Sequence, residues 1–133
     1  MSYRVEIVPI DSLHEHEQVI PERLSRVLEI ITREQCVDIP VVVDDKSRVI
    51  LDGHHRFNAL KTLGAKKVPA LLIDYFDEAL ITVEARPESG LKGITKKEII
   101  DMGLSNKVFK PKTTRHKVKF TVEKINVPLS ELM

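Results

Sequence analysis

The stretch "ILDGHHRFNALKTLG", Ile50–Gly64, constrains the fold of this chain more than any other part of it. An apolar run ends at Asp52-Gly53, and the hydrophobic period then changes. Phe57, Leu60 and Leu63 recur at helical spacing, and Gly64 suits a helix stop. A strand must therefore turn sharply into a helix at Gly53, the residue type that allows such a turn. Upstream, "IPVVVDD" and "RVILDG" read as two short strands about a turn at Asp44–Lys46, with Val41–Val43 central in a sheet. Downstream, "KVPALLIDYF" reads as another buried strand.

The remaining pattern fits around this unit. "YRVEIVPI" alternates, with Val5 and Ile7 on one side and Arg4 and Glu6 on the other, which predicts a half-buried strand. "PERLSRVLEIITRE" predicts a helix with Pro21 in its first turn and Leu24, Val27, Leu28 and Ile31 facing the core. "EALITVEAR" reads as a strand whose beginning is ambiguous, and 87–93 reads as a loop. In "TKKEIIDMG", Thr95 and Glu98 form a capping-box pattern and Gly103 reads as the helix stop. "KPKTTRHKVKFTVEKINVP" begins as a polar loop and ends as a strand alternating through Val118, Phe120 and Val122. The likeness of "VEIVPIDSL" to "INVPLSEL" fits two strand ends. The expected fold class is α/β (α+β): one compact domain over 1–133, a small mixed sheet flanked by helices.

Composition narrows the function classes. Cys36 is the lone cysteine, so no internal disulfide is possible and a reducing compartment is expected. No leader pattern opens the sequence, and no apolar run approaches the ~20 residues of a membrane span. The expected setting is cytoplasmic, without a membrane partner. Twenty-one basic and 20 acidic residues give a net charge of +1, a poor basis for non-specific DNA binding. Basic residues cluster around Lys107–Lys119 and acidic ones near Glu15–Glu34, which favours a local anion site. There is no tryptophan.

The turn itself carries chemistry. The first amides of a helix are unpaired donors, and the helix dipole favours an anion there. His54 and His55 add donors, and Arg56 offers a bidentate fork. A phosphate or carboxylate fits. Asp52 beside a polyphosphate points to Mg²⁺ or to a general base. The plainer alternative is that Asp52 caps the helix, Gly53 serves only the turn, and the histidines are solvated. Adjacent histidines also suit a transition metal, but no HxxxH or CxxC spacing supports one.

"ILDGHHRFNALKTLGAKKVPALLID" resembles the ParB/sulfiredoxin superfamily, whose turn binds nucleotide phosphates. "IDSLHEHEQVIPERLSRVLEII" followed by "IPVVV" fits the opening of the same superfamily. Sulfiredoxins carry a cysteine in the turn, where this chain has His54. Chromosome-partitioning ParB proteins usually have Gly-Glu-Arg-Arg there, followed by a helix-turn-helix domain. The free L-serine kinase branch is most similar, on three ordered matches: His16-Glu17, Asp52–Arg56 and Lys110–His116.

That resemblance implies a Mg²⁺-dependent transfer from ADP or ATP to free serine. Glu17 would be the base, with Glu15 as an alternative register, and Asp52 would hold the metal or orient the hydroxyl. Gly53, His54, His55 and Arg56 would bind nucleotide phosphates. Thr113, Thr114, Arg115 and His116 would close over them or hold the substrate. Longer relatives have more chain between the turn and this last motif, and any adenine or substrate packing made there by an indole would fall here to Tyr75 or Phe76. The contrasting expectation is a ParB-like nucleotide-binding or DNA-associated regulatory module without kinase activity.

Overall fold

The computed structural model describes residues 3–133. Four strands form the main sheet: β1 (Tyr3–Pro9), β3 (Val41–Asp44), β4 (Ile50–Asp52) and β5 (Lys67–Ile73). Their order is β1-β5-β3-β4. β1 is antiparallel to β5, β5 is parallel to β3, and β3 is antiparallel to β4. The parallel pair requires a crossover, which α2 (His54–Thr62) provides between β4 and β5. Helix α1 (Pro21–Glu34) lies against α2. Two small antiparallel pairs complete the sheet structure. One joins β2 (Cys36–Val37) to β8 (Val127–Pro128), and the other joins β6 (Ile81–Ala85) to β7 (Thr114–Val118).

β3 and β5 are buried on both faces, as strands of a parallel pair usually are. Val41, Val43, Ala70 and Leu72 face one core, shared with Ile31, Phe57 and Leu60 from the two helices. Val42, Leu71 and Ile73 face a second core, closed by Tyr75, Ile81 and Ile99. Ile99 belongs to α3 (Lys96–Leu104), which Thr95 and Glu98 cap reciprocally as the sequence predicts. Both "VPI" and "VPL" end strands that run into single 3₁₀ turns, Ile10–Ser12 and Leu129–Glu131.

Three expectations need correction. Val5 and Ile7 do not face a core: they are 50% and 45% exposed, because β1 is a sheet edge. Cover on that face comes from Phe120, stacked on Tyr3 at 4.1 Å. Gly103 does not stop α3, which continues to Leu104. It lies where the helix meets Val49, and a Cβ there would fall 2.6 Å from Val49 Cγ1. Finally, the strand near the C-terminus starts at Thr114 and ends at Val118. Thr114–His116 therefore sit on β7 opposite Val83–Ala85, not in a loop.

Candidate active site

Gly53 turns the chain with φ +98° and ψ +24°, and its lack of a side chain lets it pass Val41. The first helical bond runs from Phe57 N to Gly53 O, so the amides of 54–56 precede any intrahelical acceptor. Asp52 makes no capping bond and stays exposed. Arg56 is half-buried and donates to the Pro40 carbonyl at 3.2 Å. Burial lowers its pKa, while Asp52 and Asp38 oppose that shift.

Both histidines have backbone partners, and His54 is buried while His55 is half-buried. His54 Nε2 accepts the His16 amide at 3.1 Å, and His55 Nε2 accepts the Ile20 amide at 2.9 Å. A ring nitrogen that accepts an amide proton carries none itself, so each neutral ring has its proton on Nδ1. The pair thus ties the segment 14–20 to the start of α2. Burial pushes the pKa of both rings down, His54 far more than His55. The segment is also held by Ile50 N to His14 O at 2.8 Å and by Phe109 N to His16 O at 2.7 Å.

That segment carries Glu17. Its Oε1 accepts both the amide and the hydroxyl of Thr114, each at 2.9 Å. Burial raises the Glu17 pKa; these bonds and the charge of Arg86 oppose the rise. Glu15 points elsewhere, to a shallow surface shared with His14 and Lys61, so Glu17 is the register that reaches the cavity.

The cavity has a volume of about 270 Å³. Glu17, Asp52, Gly53, His54, His55 and Arg56 line one side; Thr114, Arg115 and His116 line the other. Four arginines (Arg23, Arg56, Arg86 and Arg115) face two carboxylates, Glu17 and Asp52, which suits a polyanionic ligand. Arg86 Nε donates to the Thr114 carbonyl at 2.8 Å, which fixes its guanidinium at the rim of β7. His116 accepts or donates at Nε2 with the Tyr75 hydroxyl, 2.8 Å away, and burial holds its pKa down at about 3.

Most of the expected residues converge here, with exceptions. Thr113 is buried, donates to the Lys110 carbonyl at 2.6 Å and does not line the cavity. Neither expected aromatic does: Tyr75 is fully buried, and Phe76 is 56% exposed away from the site. Val27 and Leu51 supply the apolar lining instead. His16, Arg23 and Arg86 are additional lining residues. His16 stood inside the "HE" match. Arg86 was visible only as a cation after a strand, and its place depends on the β6–β7 register. Among the described residues no cluster of three or more His, Cys, Asp or Glu is placed to hold a metal ion.

No family model matches the chain. A free serine kinase solved in complex with AMP superposes with a TM-score of 0.85 at 20% identity, covering 97% of this chain and 93% of that one. The fold is that of free serine kinase. At that level, little of the serine kinase is left without a counterpart, so the expected shortfall before the last motif is not a missing part of the fold. In sequence, an ATP-dependent L-serine kinase of Staphylothermus marinus is 48% identical over 77 residues, 54% of this chain and 30% of that protein. A ParB-like protein of Sulfolobus acidocaldarius is 42% identical over 77 residues, 58% of this chain and 38% of that protein. The matches thus span about a third of the curated relatives' own length. The two names are those of two branches of the superfamily that the Ile50–Asp74 stretch resembles. Among the described residues, no helix of this serine-kinase fold is long and apolar enough to cross a membrane.

Proposed function

We propose that this chain is a nucleotide-dependent kinase that phosphorylates free L-serine on its hydroxyl. The observation that carries the reading is the position of Glu17: a half-buried carboxylate with a raised pKa in the same cavity as the anion-binding turn. Phosphoryl transfer is mainly positioning and charge neutralisation, with a base to take the hydroxyl proton. Glu17 takes that proton from serine. The amides of 54–56, with Arg56, hold the nucleotide phosphates, and Arg115 and Arg23 neutralise them from the other walls. His54 and His55 hold the Glu17 segment against the phosphate site, and Nδ1–H is the donor each ring retains for a ligand.

Mg²⁺ binds through one or two carboxylates together with substrate phosphates, and exposed Asp52 at the cavity fits that donor set. The metal's contribution there is to neutralise polyphosphate charge. ATP is the favoured donor, from the name of the S. marinus relative; ADP presents the same α- and β-phosphates. A cytoplasmic setting, with ready ATP and Mg²⁺, goes with this reading.

The test is a phosphorus NMR assay of the purified chain with Mg²⁺, L-serine and ATP or ADP. A growing phosphoserine resonance is the expected result. Nucleotide signals broadened by the protein, with no product from either donor, would overturn the kinase reading in favour of a nucleotide-binding module.

A further inference from the structure

Glu17 is joined to a buried histidine through a single hydroxyl. Thr114 Oγ1 lies 2.9 Å from Glu17 Oε1 and 3.3 Å from His16 Nε2. His16 is 1% exposed, and its other nitrogen, Nδ1, is 2.6 Å from the Ile50 carbonyl. A carbonyl only accepts, so Nδ1 carries the ring proton. Burial holds the His16 pKa down at about 4, so the ring is neutral near pH 7 and Nε2 is an acceptor. The Thr114 hydroxyl therefore has one proton and two acceptors, the carboxylate and the imidazole. It cannot serve both at once.

We propose that the Thr114 hydroxyl is a two-position hydrogen-bond switch that follows the protonation state of Glu17, with His16 as its second acceptor. When Glu17 is ionised, the hydroxyl donates to Oε1. When Glu17 takes up a proton, the hydroxyl rotates about its Cβ–Oγ1 bond, donates to His16 Nε2, and turns a lone pair to the carboxylic acid. The O–H bond broken is that of the acceptor substrate, and the one formed is on Glu17. Threonine and histidine neither gain nor lose a proton. Both states of the base keep a partner in a buried setting, where an unpaired polar group is costly. Thr114 and His16 are positioning residues in this account. The inference rests on the kinase reading for its purpose, but its geometry does not.

The other charged and titratable groups lining the cavity with Glu17 are Arg86 after β6, Asp52 at the end of β4, His54, His55 and Arg56 on α2, Arg115 and His116 on β7, and Arg23 on α1. None of them is within hydrogen-bond reach of the Thr114 hydroxyl, so the switch has opposite signatures at its two ends. Removing the hydroxyl deprives the ionised form of a donor. Removing the second acceptor deprives the protonated form of its relay.

The experiment is a carbon-13 NMR titration of the side-chain carboxyls in glutamate-labelled full-length protein, with the Glu17 resonance assigned by its loss in Glu17→Gln. Thr114→Val is expected to raise the Glu17 midpoint by roughly one pH unit, and Thr114→Ser to restore it. His16→Asn keeps a donor for the Ile50 carbonyl but no acceptor at the Nε2 position, and it is expected to lower the midpoint. A Thr114→Val or His16→Asn midpoint equal to the wild-type value, or shifts of the same sign in both, would overturn the switch. The titration needs no turnover. Opposite shifts without phosphoserine in the NMR assay would sustain the switch and remove the kinase reading; phosphoserine without the shifts would do the reverse.

Discussion

At the scale of single residues, histidines do structural work that their sequence position did not disclose. "DGHHR" reads as a row of ligand donors, and its location at a strand–helix turn was legible because the hydrophobic period changes there. The partners were not legible. His54 and His55 accept amides of His16 and Ile20, more than thirty residues away in sequence, and no local pattern records such a contact. A pH dependence follows from His16. Its folded pKa is depressed to about 4, so the unfolded chain binds the proton more readily. Stability is then complete above the ordinary histidine pKa near 6.5 and is lost as pH falls from there toward about 4. At pH 5 the loss from this one residue is on the order of 2 kcal/mol. Thermal unfolding at pH 7 and pH 5 checks it. The melting temperature is expected to fall by several degrees, with the fall diminished in His16→Asn; an unchanged melting temperature would count against a neutral buried His16.

At the scale of elements, the sequence carried α1, the β3–β4 hairpin, the turn into α2, and the Thr95–Glu98 cap, because each is written in local period or local capping chemistry. It misplaced what depends on contact between elements. Gly103 resembles a helix stop in sequence, but it serves close packing on Val49. "TTRH" resembles a loop in composition, and pairing with β6 makes Thr114–His116 part of a strand. That pairing brings Thr114 to Glu17 and fixes Arg86, so the site half contributed by β7 was legible as residues but not as geometry.

Gly53 is the element-level hinge of the site. A Cβ there would lie 2.9 Å from Val41 Cγ1, in a backbone conformation at φ +98°. Gly90, at φ +74°, has open space around it. Gly90→Ala should therefore cost about 1 kcal/mol of backbone strain, and Gly53→Ala roughly 2–3 kcal/mol through strain and clash together. Denaturant unfolding of the two variants makes the comparison, and equal losses would mean that the close approach of Val41 does not constrain the turn.

At the scale of the whole molecule, charge is distributed rather than accumulated. The net charge of +1 is a poor basis for general attraction to nucleic acid, while four arginines gather at one cavity that also holds two carboxylates. A DNA surface needs a basic face; this molecule has a basic pocket, and Glu17, the proposed base, lines it. The two cores on either side of β3 and β5 hold the walls of that pocket in place. α1 and α2 belong to one core; Tyr75 and Ile81, the latter the first residue of β6, belong to the other. The pocket is where the two layers meet, so the segment 14–20, tied to α2, can present Glu17 to β7.

The central claim is that one cavity holds both the nucleotide and the base. It is tested most directly by measuring phosphoserine formation and nucleotide affinity together in Glu17→Gln. The account predicts a loss of turnover of about 100-fold or more, with the dissociation constant for ATP close to that of the unaltered chain. Turnover that survives the substitution at its original rate would contradict it.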